Sequence, residues 1–174
     1  MNERPRRSLG LLMLALGAVA AGLARGEIYQ EPDAFVAEVF DSRPAPKVLW
    51  LTKDLQAQAA AILGHPPAQL RQRYWSDAHK SVWILEEIGK EELITAGFVV
   101  VDGRIDHVRV LVYRESRGQE VRTPSFLKQF KDAKLALGDR LDREIDGIAG
   151  ATLSVAAMER MARLALFFDR TSRK

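Results

Sequence analysis

The sequence predicts an α+β fold, an antiparallel sheet with helices packed on it. Three observations carry this. Apolar runs alternate through the middle of the chain. An Asp102-Gly103 pair separates two of them, and such a pair suits a tight hairpin because both turn positions need positive φ. The last segment repeats Ala157, Met161, Leu164 and Phe168 at helical spacing, which makes one apolar stripe.

Taken in order, the elements begin with a short helix over Glu31–Phe40, Pro32 near its start. Ser42–Pro46 is a connector, and Lys47–Leu51 reads as a buried strand. Asp54–Leu63 reads as a helix with Asp54 as N-cap and Gly64 as its stop. Strands are expected over Arg71–Trp75 and Ser81–Ile88, the latter with Val82, Ile84 and Ile88 on one face interrupted by Glu86. Gly97–Val101 and Ile105–Tyr113 form the Asp-Gly hairpin. Strict alternation in the second of these sends Val108, Val110 and Val112 one way and His107, Arg109, Leu111 and Tyr113 the other. Arg114–Gly118 is a polar loop. Pro124–Lys131 is a short helix with Phe126, Leu127 and Phe130 inward, and a final helix covers Thr152–Phe168.

Residues 1–26 stand apart. Arg4, Arg6, Arg7 and Arg25 against Glu3 account for the whole net charge of +3, so the rest of the chain is neutral. The basic pI is therefore no sign of a nucleic-acid-binding face, and no nucleic acid is expected as a partner. Leu9–Ala24 contains only Leu, Gly, Met, Ala and Val, and polar sequence begins at Glu27. A basic start, an apolar run and small residues before a polar boundary make a secretory signal or a retained N-terminal membrane anchor. The run is shorter than the roughly 20 residues that span a bilayer comfortably. Residues 27–174 are then expected as a single domain in the periplasm or on the outer face of the cytoplasmic membrane.

With no cysteine, disulfides, thiolate metal sites and cysteine nucleophiles are excluded. His65, His79 and His107 show no ligand spacing, and no metal site is expected. No acid–base pair, Gly-x-Ser-x-Gly or dinucleotide fingerprint stands out, so no catalytic residues are assigned.

The chemistry concentrates in Asp146-Gly147-Ile148-Ala149-Gly150-Ala151-Thr152-Leu153-Ser154, small residues leading into a helix start. Unpaired N–H groups and the positive dipole end suit a phosphate there, and Thr152 adds a hydroxyl. Taken alone, Gly150-Ala151-Thr152 before a helix reads as a helix cap, and Asp146 is open to reading as a turn residue. Ser154 is the nearest rival hydroxyl, two residues further on and expected to face elsewhere.

This segment resembles the flavinylation motif of the FMN-binding domain family, known from the FMN-bearing subunits of the sodium-pumping NADH:quinone oxidoreductase and its Rnf relatives. The family pattern is Asp, two variable residues, Ser or Thr, Gly, Ala and the acceptor Thr. Asp146, Gly150, Ala151 and Thr152 match it, and Ala149 departs from it. Upstream, Glu115 and Gly118 keep the Glu…Gly spacing of the family's loop, and Phe126–Phe130 looks like its aromatic helix. The resemblance covers about residues 70–168.

It implies FMN carried covalently as a phosphoester on Thr152, with Asp146, Gly150, Ala151, Glu115 and Gly118 as further cofactor-site residues. It also implies an ApbE-type flavin transferase as partner, with a membrane or periplasmic redox partner, and an electron carrier in place of a catalyst. The alternatives are a non-covalent FMN-binding domain and a redox-inert structural or sensory domain of the same fold. Arg117 is a candidate for the phosphate or the reduced flavin, and Trp50, Trp75 and Trp83 are candidates to stack on the ring or to fill the core.

Overall fold

The computed structural model describes residues 26–173. The expected signal or anchor lies, but for Gly26, outside the described residues. Six strands form one antiparallel sheet: β1 (Glu27–Ile28), β2 (Lys47–Trp50), β3 (Arg71–Ser76), β4 (Lys80–Ile88), β5 (Leu93–Val101) and β6 (Arg104–Tyr113). Their spatial order is β1-β6-β5-β4-β3-β2, so β2 to β6 meander and β1 closes the far edge. The helices are α1 (Pro32–Val39), α2 (Lys53–Leu63), α3 (Pro124–Leu127) and α4 (Thr152–Ser172). The α+β class and each expected element are present.

The alternation of the strands divides two cores. On one face, Trp83 and Leu85 of β4, Ile94, Ala96 and Phe98 of β5, and Val108 and Val110 of β6 meet α4. The stripe Ala157, Met161, Leu164 and Phe168 is buried against them. On the other face, Phe35 and Val36 of α1 pack on Val82, Val99, Leu111 and Val112. Gly97 makes that contact possible, since a Cβ there would lie 2.3 Å from the Phe35 ring. The Asp102-Gly103 turn has φ of 47° and 74°, as a two-residue hairpin requires.

Three local expectations are corrected. β2 is an exposed edge strand, not a buried one: Val48 and Trp50 are 46% and 65% exposed, because β2 ends the sheet and α1 is too short to cover it. α2 is capped by Thr52, whose hydroxyl accepts from the Leu55 N–H, while Asp54 lies inside the first turn. The alternation of β6 breaks near its end. Ala96 pairs with Val110 and Thr95 with Val112, so Leu111 is an extra, bulged residue. Leu111 and Val112 therefore join the α1 side, and Tyr113 turns to the α4 side.

In the expected Pro124–Lys131 helix, α3 passes into a 3-10 turn over Lys128–Phe130; Phe126 and Phe130 are buried edge to face, and Leu127 is only partly so.

Candidate functional site

The β6 bulge organises the start of α4. It aims Tyr113 inward, where its hydroxyl donates to the Arg117 carbonyl at 2.6 Å and lies 3.1 Å from Ser154 Oγ. With the Tyr113 proton given to Arg117, Ser154 is the donor to Tyr113. Burial raises the Tyr113 pKa, which keeps the phenol a proton donor. One buried hydroxyl pair thus ties the Arg114–Gly118 loop to the first turn of α4.

Gly118 completes the contact. Its φ is +83°, and a Cβ would lie 2.8 Å from the Tyr113 hydroxyl, 3.1 Å from Ser154 Oγ and 3.2 Å from the Ala151 methyl. Only glycine allows the loop to close this tightly on the helix.

The approach to α4 is built by short-range bonds. Gln129 Oε1 accepts from the Asp146 backbone N–H at 2.7 Å, which fixes the segment to the α3 region. Ile148 accepts from the Ala151 N–H at 3.0 Å, closing a turn in which Gly150 takes φ of +81°. The helix then begins. Its N-cap is Ala151, which has no side chain to cap with, and the first helical bond runs from the Val155 N–H to the Ala151 carbonyl. The N–H groups of Thr152, Leu153 and Ser154 are left without a capping side chain.

Two hydroxyls share this turn and differ completely. Thr152 is exposed at the first helical position and caps nothing. Ser154 is buried and bonded to Tyr113. The open space beside Gly147 and Gly150 leaves the helix start accessible. An uncapped helix start, a left-handed glycine and a free hydroxyl fit a phosphate monoester or diester.

The expected site residues separate into two groups. Thr152, Ala151, Gly150 and Gly118 come together at the helix start. Asp146 lies before the turn with its side chain exposed. Glu115 is directed elsewhere: its Oε1 accepts the backbone N–H groups of Lys90, Glu91 and Glu92 and so braces the β4–β5 turn. Burial pulls its pKa upward, but these three donors outweigh it and the net shift is downward. Arg117 contributes its carbonyl to Tyr113, and its side chain is exposed.

None of the tryptophans flanks Thr152. Trp83 packs on Phe168, roughly 24 Å along α4 from Thr152. Trp75 is on the opposite face of the sheet, and Trp50 is on the far edge strand. Tyr113, Ser154 and Gln129 are the residues that sequence reasoning did not assign to the site. Only Ser154 had a local signal, its place two residues past Thr152.

Residues 89–166 match the family model of the FMN-binding domain. That match supports assigning this part of the chain to the FMN-binding domain family. The matched segment begins at the turn braced by Glu115, contains the Tyr113–Gly118–Ser154 contact and ends within α4. FMN is the cofactor class of this domain. A comparison with curated proteins finds no match. A cavity of about 580 Å³ lies not at Thr152 but where β3 parts from β4; the helix start is an open surface.

Proposed function

We propose that this FMN-binding domain is an exported electron carrier that holds FMN as a phosphoester on Thr152. The observation that carries the reading is the contrast within one helical turn: the Thr152 hydroxyl is exposed beside uncapped N–H groups, whereas the Ser154 hydroxyl is buried and engaged. Attachment requires an ApbE-type flavin transferase with FAD as donor. The Thr152 Oγ–P bond forms at the FMN phosphorus, the P–O–P bridge of FAD breaks, AMP leaves and the hydroxyl proton is released.

The chain's own residues then have distinct tasks. The N–H groups of Thr152, Leu153 and Ser154 face the phosphate charge. Gly150 and Ala151 keep the approach free of side chains. Tyr113, Gly118 and Ser154 hold the turn rigid. Asp146, exposed before the turn, is a recognition point for the transferase. FMN supplies electron uptake and release, singly or in pairs. The basic, apolar and small-residue pattern of residues 1–26 supports export, with the redox partner in the periplasm or the membrane.

Protein made together with the transferase and Mg²⁺, then denatured, tests the reading. Flavin fluorescence that stays with the chain is expected. Flavin that leaves on denaturation means a non-covalent FMN-binding domain. The loaded protein should be reduced reversibly by dithionite, and rapid steady-state NADH oxidation by the pure protein contradicts the carrier role. A reporter fused after Lys174 that works only in the cytosol contradicts export.

A further inference from the structure

The sheet is not continuous. β4 pairs with β5 along its whole length to Ile88, but its pairing with β3 stops at Trp83. Beyond that point β2 and the start of β3 continue as an antiparallel pair without β4. Gln72 spans the gap with its side chain, donating to the Ile84 carbonyl at 3.0 Å where a ladder bond would otherwise run. The cavity of about 580 Å³ lies in this split, lined by residues from both faces of the sheet.

Its walls differ in character. On the α4 side Leu51, Leu63, Leu85, Leu164 and Phe168 make an apolar surface beside the paired Glu87 and His65. On the α1 side stand Arg71, Arg73 and Trp75. The carboxylates at the cavity are already engaged. Glu86 accepts from Thr95 and faces Arg114, Glu87 is held by His65 and Arg160, and Asp33 is paired with Arg43. Among the described residues, neither Arg71 nor Arg73 meets a carboxylate. Trp75 is 4% exposed, and among the described residues its indole N–H has no acceptor. A buried donor without a partner is costly, and a ligand acceptor would remove that cost.

We propose that the split binds an amphipathic small molecule with an anionic head. Its apolar body lies between β3 and β4, and its carboxylate or similar head meets Arg71, Arg73 and the Trp75 N–H. The volume falls within the range of small-molecule sites, and a mostly apolar lining with a few polar donors is the usual pattern. The site is separate from Thr152 and does not depend on the FMN reading.

Sodium laurate is the probe, titrated into ¹⁵N-labelled full-length protein. The chain has three tryptophans, and Trp75→Phe identifies the Trp75 indole signal. That signal should move saturably with laurate. Lauryl alcohol, which lacks the charge, should bind about tenfold more weakly. The double variant Arg71→Gln/Arg73→Gln, changed at the surface only, should lose about tenfold in laurate affinity and none for the alcohol. Thr152→Ala should bind laurate as the wild type does. A stationary Trp75 signal, equal affinity for acid and alcohol, or laurate binding indifferent to the double variant would each overturn the proposal. So would amide shifts over Lys47–Trp50 that follow protein concentration without laurate, because a second copy would then occupy the split.

Discussion

The two ends of α4 are built on opposite plans. At the C-terminal end, Asp169 is buried; it accepts from Ser81 Oγ at 2.6 Å and from Arg173 Nε at 2.9 Å. Ser81 in turn accepts from the Trp83 indole, and the Arg173 guanidinium reaches the Ala78 and His79 carbonyls. At the N-terminal end there is no cap, and an exposed threonine stands over free N–H groups. One end satisfies its polar groups with the protein, and the other leaves them uncapped. The helix is thus anchored at one end so that the other can stay open.

Substitutions at the two ends should separate stability from chemistry. Asp169→Ala has the largest expected effect on stability. It strands Ser81 and Arg173 around a buried site and should cost about 3–5 kcal/mol in chemical denaturation. The folded fraction should still accept flavin, because nothing at Thr152 changes. Loss of modification from fully folded Asp169→Ala would break the separation between the ends.

Gly118→Ala comes next. It forces a side chain into positive φ and into the Tyr113–Ser154 contact, and should cost roughly 1–3 kcal/mol. Because this contact fixes the open end, flavin loading should fall as well. Unchanged loading would mean that the loop does not position the turn. Ser154→Ala removes one buried hydrogen bond and should cost about 1 kcal/mol, leaving Tyr113 bonded to Arg117. Its flavin yield should fall less than that of Gly118→Ala, since Tyr113 stays bonded to Arg117 and Ser154 is not the acceptor.

The smallest effect lies in the middle of the helix, where Arg160 and His65 share the buried Glu87. The bond to Glu87, with help from the Pro66 carbonyl, raises the His65 pKa above its ordinary 6.5. A raised folded pKa stabilises the fold fully below about pH 6.5, and the contribution is lost as pH rises through the folded value. The melting temperature should therefore drift down from pH 6 toward 8.5, flattening in His65→Gln. The shift is small because the ring is about half exposed. An equal slope in wild type and variant would remove His65 from the account.

The contrast between the ends also explains what could be read in the sequence. Asp102-Gly103 and the α4 stripe are local patterns, and both predict their elements directly. The Asp146–Thr152 motif is local too, and its small residues announce an open helix start. The bulge at Leu111 leaves no local mark, so strict alternation turns Tyr113 the wrong way and hides its bond to Ser154. Glu115 braces backbone groups more than twenty residues upstream, a contact set by topology and not by spacing. The exposure of β2 likewise depends on its place at the sheet edge. Thr52 took the cap from Asp54 because the helix begins two residues earlier than an Asp54 cap requires.

The central claim is that Thr152 alone at this helix start accepts FMN. Intact mass and peptide mapping of wild type, Thr152→Ala, Thr152→Ser and Ser154→Ala, each made with the transferase and Mg²⁺, test it most directly. Wild type and Ser154→Ala should gain the mass of one FMN less one water, mapped to Thr152, and Thr152→Ser should retain some of it. Thr152→Ala should gain nothing while its stability changes by less than about 0.5 kcal/mol, as an exposed, non-capping side chain allows. An adduct that persists in folded Thr152→Ala, or one that maps to Ser154, would contradict the account.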